Sequence, residues 1–192
     1  MANPWFQLRE GSVADLPALA SLDSSFSNEW VLHLDRLGGP IEQTIELRWR
    51  RAKPAGSTRR FEVDDDYPAA DHGQHARFLV AESDGRLVGY LRLREKWNGT
   101  AEIESIVVDL PYRRHGLGRR LVEEAEAYAR ERDLRAVEWE TQTDNRAAIE
   151  FALAQGFRIA GVHDALYRNR GHEEQLEPDF RGLAVFLTKE LK

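Results

Sequence analysis

The spacing of apolar positions changes near residue 76, from irregular before it to strongly periodic after it. Residues 5–9 read as a short strand, and residues 15–25 as a helix, because Leu16, Leu19, Ala20 and Asp23 keep helical spacing. Residues 28–75 are broken by Gly38-Gly39-Pro40 and carry a basic run at 48–53, then Arg59-Arg60 and the acidic Asp64-Asp65-Asp66. We read that stretch as helix, loop and one strand around 60–63. Beyond it, residues 77–82 and 87–96 are β-like runs joined by the turn Ser83-Asp84-Gly85-Arg86. The dipeptide Asn98-Gly99 then turns the chain into a third strand at 100–109, since both residues tolerate positive φ. An antiparallel meander follows from these three runs.

Pro111-Tyr112 ends the meander, and a glycine-bearing turn opens a helix over residues 117–132. Leu117, Leu121, Ala125 and Tyr128 fall on one face of it. Residues 136–142 form a further strand, and 145–155 a shorter helix closed by Gly156, a natural C-cap. Residues 157–162 and 183–191 are closing strands. The pattern predicts an α/β fold with a mixed sheet.

Composition narrows the chemistry. The 192 residues suit one domain and suffice for a proper core. Apolar residues make up 42%, yet no run approaches the roughly 20 needed to cross a membrane. No basic segment followed by an apolar run opens the chain, so we expect a cytoplasmic protein without a membrane partner. Zero cysteines exclude disulfides, thiolate metal sites and a cysteine nucleophile. The net charge of −6 argues against nucleic acid and favours cationic partners. His33, His72, His75, His163 and His172 lack metal-ligand spacing, so no metal is expected.

The turn Arg113-Arg114-His115-Gly116-Leu117-Gly118 has the makings of an anion site. Amides of a helix's first turn lack intrahelical partners, and the helix dipole adds positive potential there. Gly116 and Gly118 permit close approach of phosphate oxygens, and Arg113, Arg114, Arg119 and Arg120 crowd guanidinium groups around the same turn. The spacing is neither that of a nucleoside-triphosphate loop nor that of a dinucleotide loop, because Leu121 stands where the latter needs its third glycine.

The strand Ile103-Glu104-Ser105-Ile106-Val107-Val108-Asp109 followed by this turn resembles the central motif of the GNAT superfamily of N-acetyltransferases. The resemblance implies the GNAT fold, with a mixed antiparallel and parallel central sheet flanked by helices. It also implies acetyl-CoA as cosubstrate. Ile106, Val107 and Val108 would pair with its pantetheine arm and Arg113, Arg114, His115, Gly116, Leu117, Gly118 and Arg119 would hold its pyrophosphate. Asn145, in a segment that resembles the second family motif and runs to Gly156-Phe157, would touch it too. On this reading residues 1–192 form a single domain, with substrate-side elements in 1–75 and the acetyl-CoA-binding core in 76–192. Asp23-Ser24-Ser25-Phe26, Lys96-Trp97-Asn98, Glu140-Thr141-Gln142 and Leu166-Tyr167 further resemble streptothricin acetyltransferases, enzymes of antibiotic resistance.

The implied reaction is acetyl transfer to a primary amine of a small cationic molecule. An alkylamine of pKa about 10.4 must lose a proton first, at roughly 4.6 kcal/mol at pH 7, so a carboxylate base is needed. Glu104 is the candidate, sharing a strand face with Ile106 and Val108 if alternation holds; Glu102 on that face competes with it. The family's second motif has a tyrosine where this chain has Ala152, and Tyr167 is the candidate substitute acid, with packing in the substrate wall as its alternative. Asp64-Asp65-Asp66-Tyr67 is read either as pocket lining or as a solvated loop, and Trp30, Trp49 and Trp97 as core or hairpin packing. Two other functions stay open: acetylation of a protein N-terminus or lysine, and a non-catalytic acyl-CoA-binding module. A homodimer is left open as well.

Overall fold

The computed structural model describes residues 5–27, 29–52, 58–59, 75–166 and 183–191. Its elements are β1 (Gln7–Glu10), a 3-10 turn (Val13–Asp15), α1 (Leu16–Leu19), β2 (Phe26–Ser27), β3 (Trp30–Gly38), β4 (Gln43–Arg51) and β5 (Thr58–Arg59). They continue with β6 (Ala76–Ser83), β7 (Arg86–Lys96), β8 (Thr100–Val108), a 3-10 turn (Leu110–Tyr112) and α2 (Leu117–Glu131). Last come β9 (Ala136–Gln142), α3 (Arg146–Ala154), β10 (Arg158–His163) and β11 (Ala184–Glu190). No helix among the described residues is long and apolar enough to cross a membrane. Contacts divide the chain into two compact units.

The first unit holds the described residues of Met1–Ser25, Arg60–Trp139 and Thr188–Lys192. Its strands lie in the order β1-β6-β7-β8-β9. β1 through β8 pair antiparallel, and β8 pairs parallel with β9, so the sheet is mixed as expected. The β6–β7 loop is Asp84-Gly85, with φ of 49° and 74°, the two left-handed residues that suit the twist of a tight hairpin. The β7–β8 loop differs from the two-residue turn expected of Asn98-Gly99. Lys96 pairs with Thr100, which leaves three residues between them, and only Gly99 takes a positive φ, of 75°.

Each face of this sheet carries a helix. Phe78, Val80, Tyr90 and Val107 meet Leu19 and Leu22 in one buried cluster. On the other face α2 packs against β7 and β8 with Leu117, Leu121, Val122, Ala125, Tyr128 and Ala129 buried. A Cβ on Gly89 would stand 2.7 Å from the Val107 carbonyl oxygen and 3.2 Å from Leu117 Cδ2, so glycine is what lets α2 seat this closely. α1 covers only four residues of the 15–25 helix read from the sequence. Turn hydrogen bonds continue to Leu22, and then Asp23 leaves to hold the glycine-bearing turn.

The second unit holds the described residues of Phe26–Arg59 and Glu140–Leu187. The helix expected within 28–75 is not among its described residues; a nine-by-nine antiparallel hairpin of β3 and β4 stands there instead. Trp30, Leu32, Leu34, Leu47 and Trp49 share one face of it by register, and the Arg146 guanidinium lies 5.2 Å from both the Trp30 and Trp49 ring centroids. The strand read at 60–63 lies outside the described residues.

Candidate active site

The glycine-bearing turn is anchored by backbone and by one arginine. Asp109 accepts from the Asp23 N–H through Oδ1 at 2.8 Å, and the Leu110 N–H donates to the Asp23 carbonyl at 3.1 Å. The Arg113 guanidinium donates to three carbonyls, of Val108 at 2.9 Å, Ser25 at 2.6 Å and Asp23 at 3.0 Å. Burial pushes its pKa down, against the opposing charges of Asp23 and Asp109. The sequence reading gave this guanidinium to a phosphate, whereas here it straps the residues after α1 to the end of β8. What Arg113 offers a ligand is therefore backbone.

Past it, Arg114 and Gly116 both take left-handed φ, of 67° and 89°. Gly116 is the N-cap of α2 and has no side chain to satisfy the first turn. The first helical bond runs from the Arg120 N–H to the Gly116 carbonyl, so the amides of Leu117, Gly118 and Arg119 have no acceptor within the helix. A Cβ on Gly116 would meet no protein atom within 4 Å, which leaves the space over these amides open. Arg114 and His115 are exposed, and the Arg119 side chain is 71% exposed with a loose 3.6 Å contact to Glu123. Unpaired first-turn amides, the helix dipole and the exposed Arg114 and Arg119 thus stand on one turn, an arrangement suited to an anion. Leu117 contributes its N–H only, because its side chain is 1% exposed in the core. The His115 ring is edge-on to Trp5, which stacks on Tyr112.

β8 holds further candidate residues. Its parallel ladder with β9 runs from Thr100↔Ala136 to Ile103↔Trp139, while β8 continues to Val108. Beyond Ile103, alternate residues of the stretch that holds Ile106, Val107 and Val108 point N–H and C=O away from β7.

At the point where this ladder stops, β8 bulges. Arg92 pairs with Ser105 but Leu93 pairs with Ile103, so Glu104 is the extra residue. Alternation fails there. Register puts Ile106 and Val108 on the face of Leu91 and Gly89, while Glu102 lies on the face of Arg94. The Glu104 carboxylate joins that second face, its Oε1 3.2 Å from Arg94 Nε. Arg94 Nη2 also meets Glu102 Oε2 at 2.9 Å. Lys96 lies 3.6 Å from Glu102 and 2.9 Å from Glu138. Burial pulls the Lys96 pKa down, but the hydrogen bond and charges of Glu138 and Glu102 outweigh it, and the net direction is up. The Glu104 side chain is 27% exposed. Arg94 is not legible from the sequence, because a two-residue Asn98-Gly99 turn would set Glu95 opposite Glu102, and it is the three-residue loop that brings Arg94 there.

In the second unit, Asn145 caps α3, its Oδ1 accepting from the Ala148 N–H at 3.1 Å. Ala152 is wholly buried on the same helix. Trp97, read as packing, is 96% exposed at its hairpin tip. Tyr167 and Asp64-Asp65-Asp66-Tyr67 lie outside the described residues. Among the described residues no group of three or more His, Asp or Glu could hold a metal.

Comparison with known proteins agrees with this geometry. Residues 41–157 match the model of the acetyltransferase (GNAT) family. A streptothricin acetyltransferase of Escherichia coli is 33% identical over 129 residues, 67% of this chain and 70% of its own. The crystal structure of a nourseothricin acetyltransferase superposes with a TM-score of 0.79 at 26% identity, over 97% of this chain and 99% of that one. An acetyltransferase of Bacillus anthracis, crystallised with acetyl coenzyme A, gives a TM-score of 0.78 at 25% identity over 97% and 98%.

Proposed function

Because the chain belongs to the GNAT family of acetyltransferases and so draws its acetyl group from acetyl-CoA, we propose that its acceptor is a primary amine on a small cationic molecule of the streptothricin kind, with Glu104 as general base. One observation carries the assignment of the base: a partly exposed carboxylate at a bulge, immediately before the stretch of β8 that lies beyond its ladder with β9. The acceptor is supported by the names of the relatives and by the negative charge of the chain, −6.

The amine arrives as an ammonium ion, and its neutral form is about 3.4 pKa units away at pH 7. Glu104 takes that proton, directly or through water, a contribution of about 10² to 10⁴ in rate. The free lone pair then forms the new C–N bond, and the C–S bond breaks. No cysteine is present to take the acetyl group first, which favours this direct attack. A backbone N–H among Ile106, Val107 and Val108 stabilises the developing negative oxygen. The departing thiolate, whose conjugate acid has a pKa of about 8.5, leaves without an obligatory tyrosine at position 152.

Incubation with acetyl-CoA and a panel of amines that includes streptothricin tests the reading through thiol release. Turnover with streptothricin, lost by roughly 10² or more in Glu104→Gln with acetyl-CoA affinity intact, is the expected result. Acetyl-CoA binding without thiol release for any amine would overturn it.

A further inference from the structure

Resting on that assignment of Glu104, we infer that Arg94 is the residue that positions this base. The bulge removes Glu104 from the regular ladder, so no cross-strand partner in register fixes its carboxylate. Arg94 supplies the missing constraint from the neighbouring strand. It stands opposite Glu102 in register and reaches along β8, Nη2 on Glu102 at 2.9 Å and Nε on Glu104 at 3.2 Å. One planar guanidinium therefore spans the two carboxylates on either side of Ile103, a task for which the point charge of lysine is less suited.

The charged groups of the three strands on this face include Arg92, Arg94 and Lys96 from β7, Glu102 and Glu104 from β8, and Glu138 and, by alternation, Glu140 from β9. Lys96 is committed to Glu138 and Glu102. Arg94 is the cation beside the base among the described residues, and Glu102 competes for it. Glu102 shares the guanidinium with Glu104, so loss of Arg94 releases the base from its one cross-strand ion pair among the described residues.

The test is kcat and the two KM values, for amine and for acetyl-CoA, measured on the full chain. Arg94→Met should lower kcat about tenfold or more with both KM values and the melting temperature held, and Arg94→Lys should recover only part of kcat, since charge is kept and aim is not. In a Glu104→Gln background Arg94→Met should lower the residual kcat no further, whereas a merely structural arginine would lower it again. If Glu104→Gln loses most of its kcat while Arg94→Met keeps full kcat, the role of Arg94 is overturned and the base stands. If Glu104→Gln keeps full kcat, both fall. Should Arg94→Met fail to fold, Arg94→Lys decides, and full kcat there overturns the positioning role.

Discussion

Gly116 and Arg113 stand three residues apart and do opposite jobs. At Gly116 the space for a Cβ is empty, so a side chain there is opposed by the φ of 89° alone. Alanine in that conformation costs about 1–2 kcal/mol, and the loop relieves it by turning its amides. Gly116→Ala should weaken acetyl-CoA binding roughly 5- to 30-fold with little change in melting temperature, measured by calorimetric titration; unchanged affinity would count against the amide cradle. Arg113→Met should behave in the reverse way. It strips donors from three carbonyls of the strap and should cost about 2–3 kcal/mol of stability, read by thermal or urea unfolding. Were the guanidinium a phosphate ligand instead, affinity would fall and stability would hold.

Elements show which parts of this fold their own residues announce. α2 and α3 are legible because Leu117, Leu121, Ala125 and Tyr128, and the cap Asn145, are local signals. The β3–β4 hairpin is legible too, since Ile45, Leu47 and Trp49 alternate with Glu46, Arg48 and Arg50, although its basic residues mask that period of two. The bulge at Glu104 is different. Ala101, Ile103, Ser105 and Val107 are buried in unbroken alternation, so nothing in β8 itself betrays an extra residue. Only pairing with β7 reveals it, and the role of Arg94 with it. α3 poses its own question at Ala152, fully buried where the related motif has tyrosine. A tyrosine forced into this enclosed place must displace its neighbours, at about 1–3 kcal/mol or more. Ala152→Tyr should therefore lower the melting temperature without raising kcat; a faster enzyme of equal stability would show that the position still faces the leaving thiolate.

At the scale of the whole molecule, charge pairs join distant parts of the chain and make its stability depend on pH. Glu126 on α2 is buried and receives Lys189 of β11 and Arg130 of its own helix. Burial alone would raise its pKa, but the hydrogen bonds and charges of Lys189 and Arg130 outweigh it and the net direction is down from 4.5. Asp15 is lowered from 3.8 to about 2, chiefly by its hydrogen bond from Arg9. A depressed folded-state pKa means that the unfolded chain takes up the proton first on acidification. Both carboxylates therefore stabilise the fold fully at neutral pH. The share from Glu126 fades as pH falls below about 4.5, and that from Asp15 between 3.8 and about 2. Glu126→Gln should cost about 2 kcal/mol at pH 7, and the gap to the parent protein should narrow steadily from pH 5 to pH 3. Urea unfolding across that range measures it. A gap that stays constant with pH would mean that the glutamate contributes by shape and hydrogen bonding, with its charge irrelevant to holding β11 against α2.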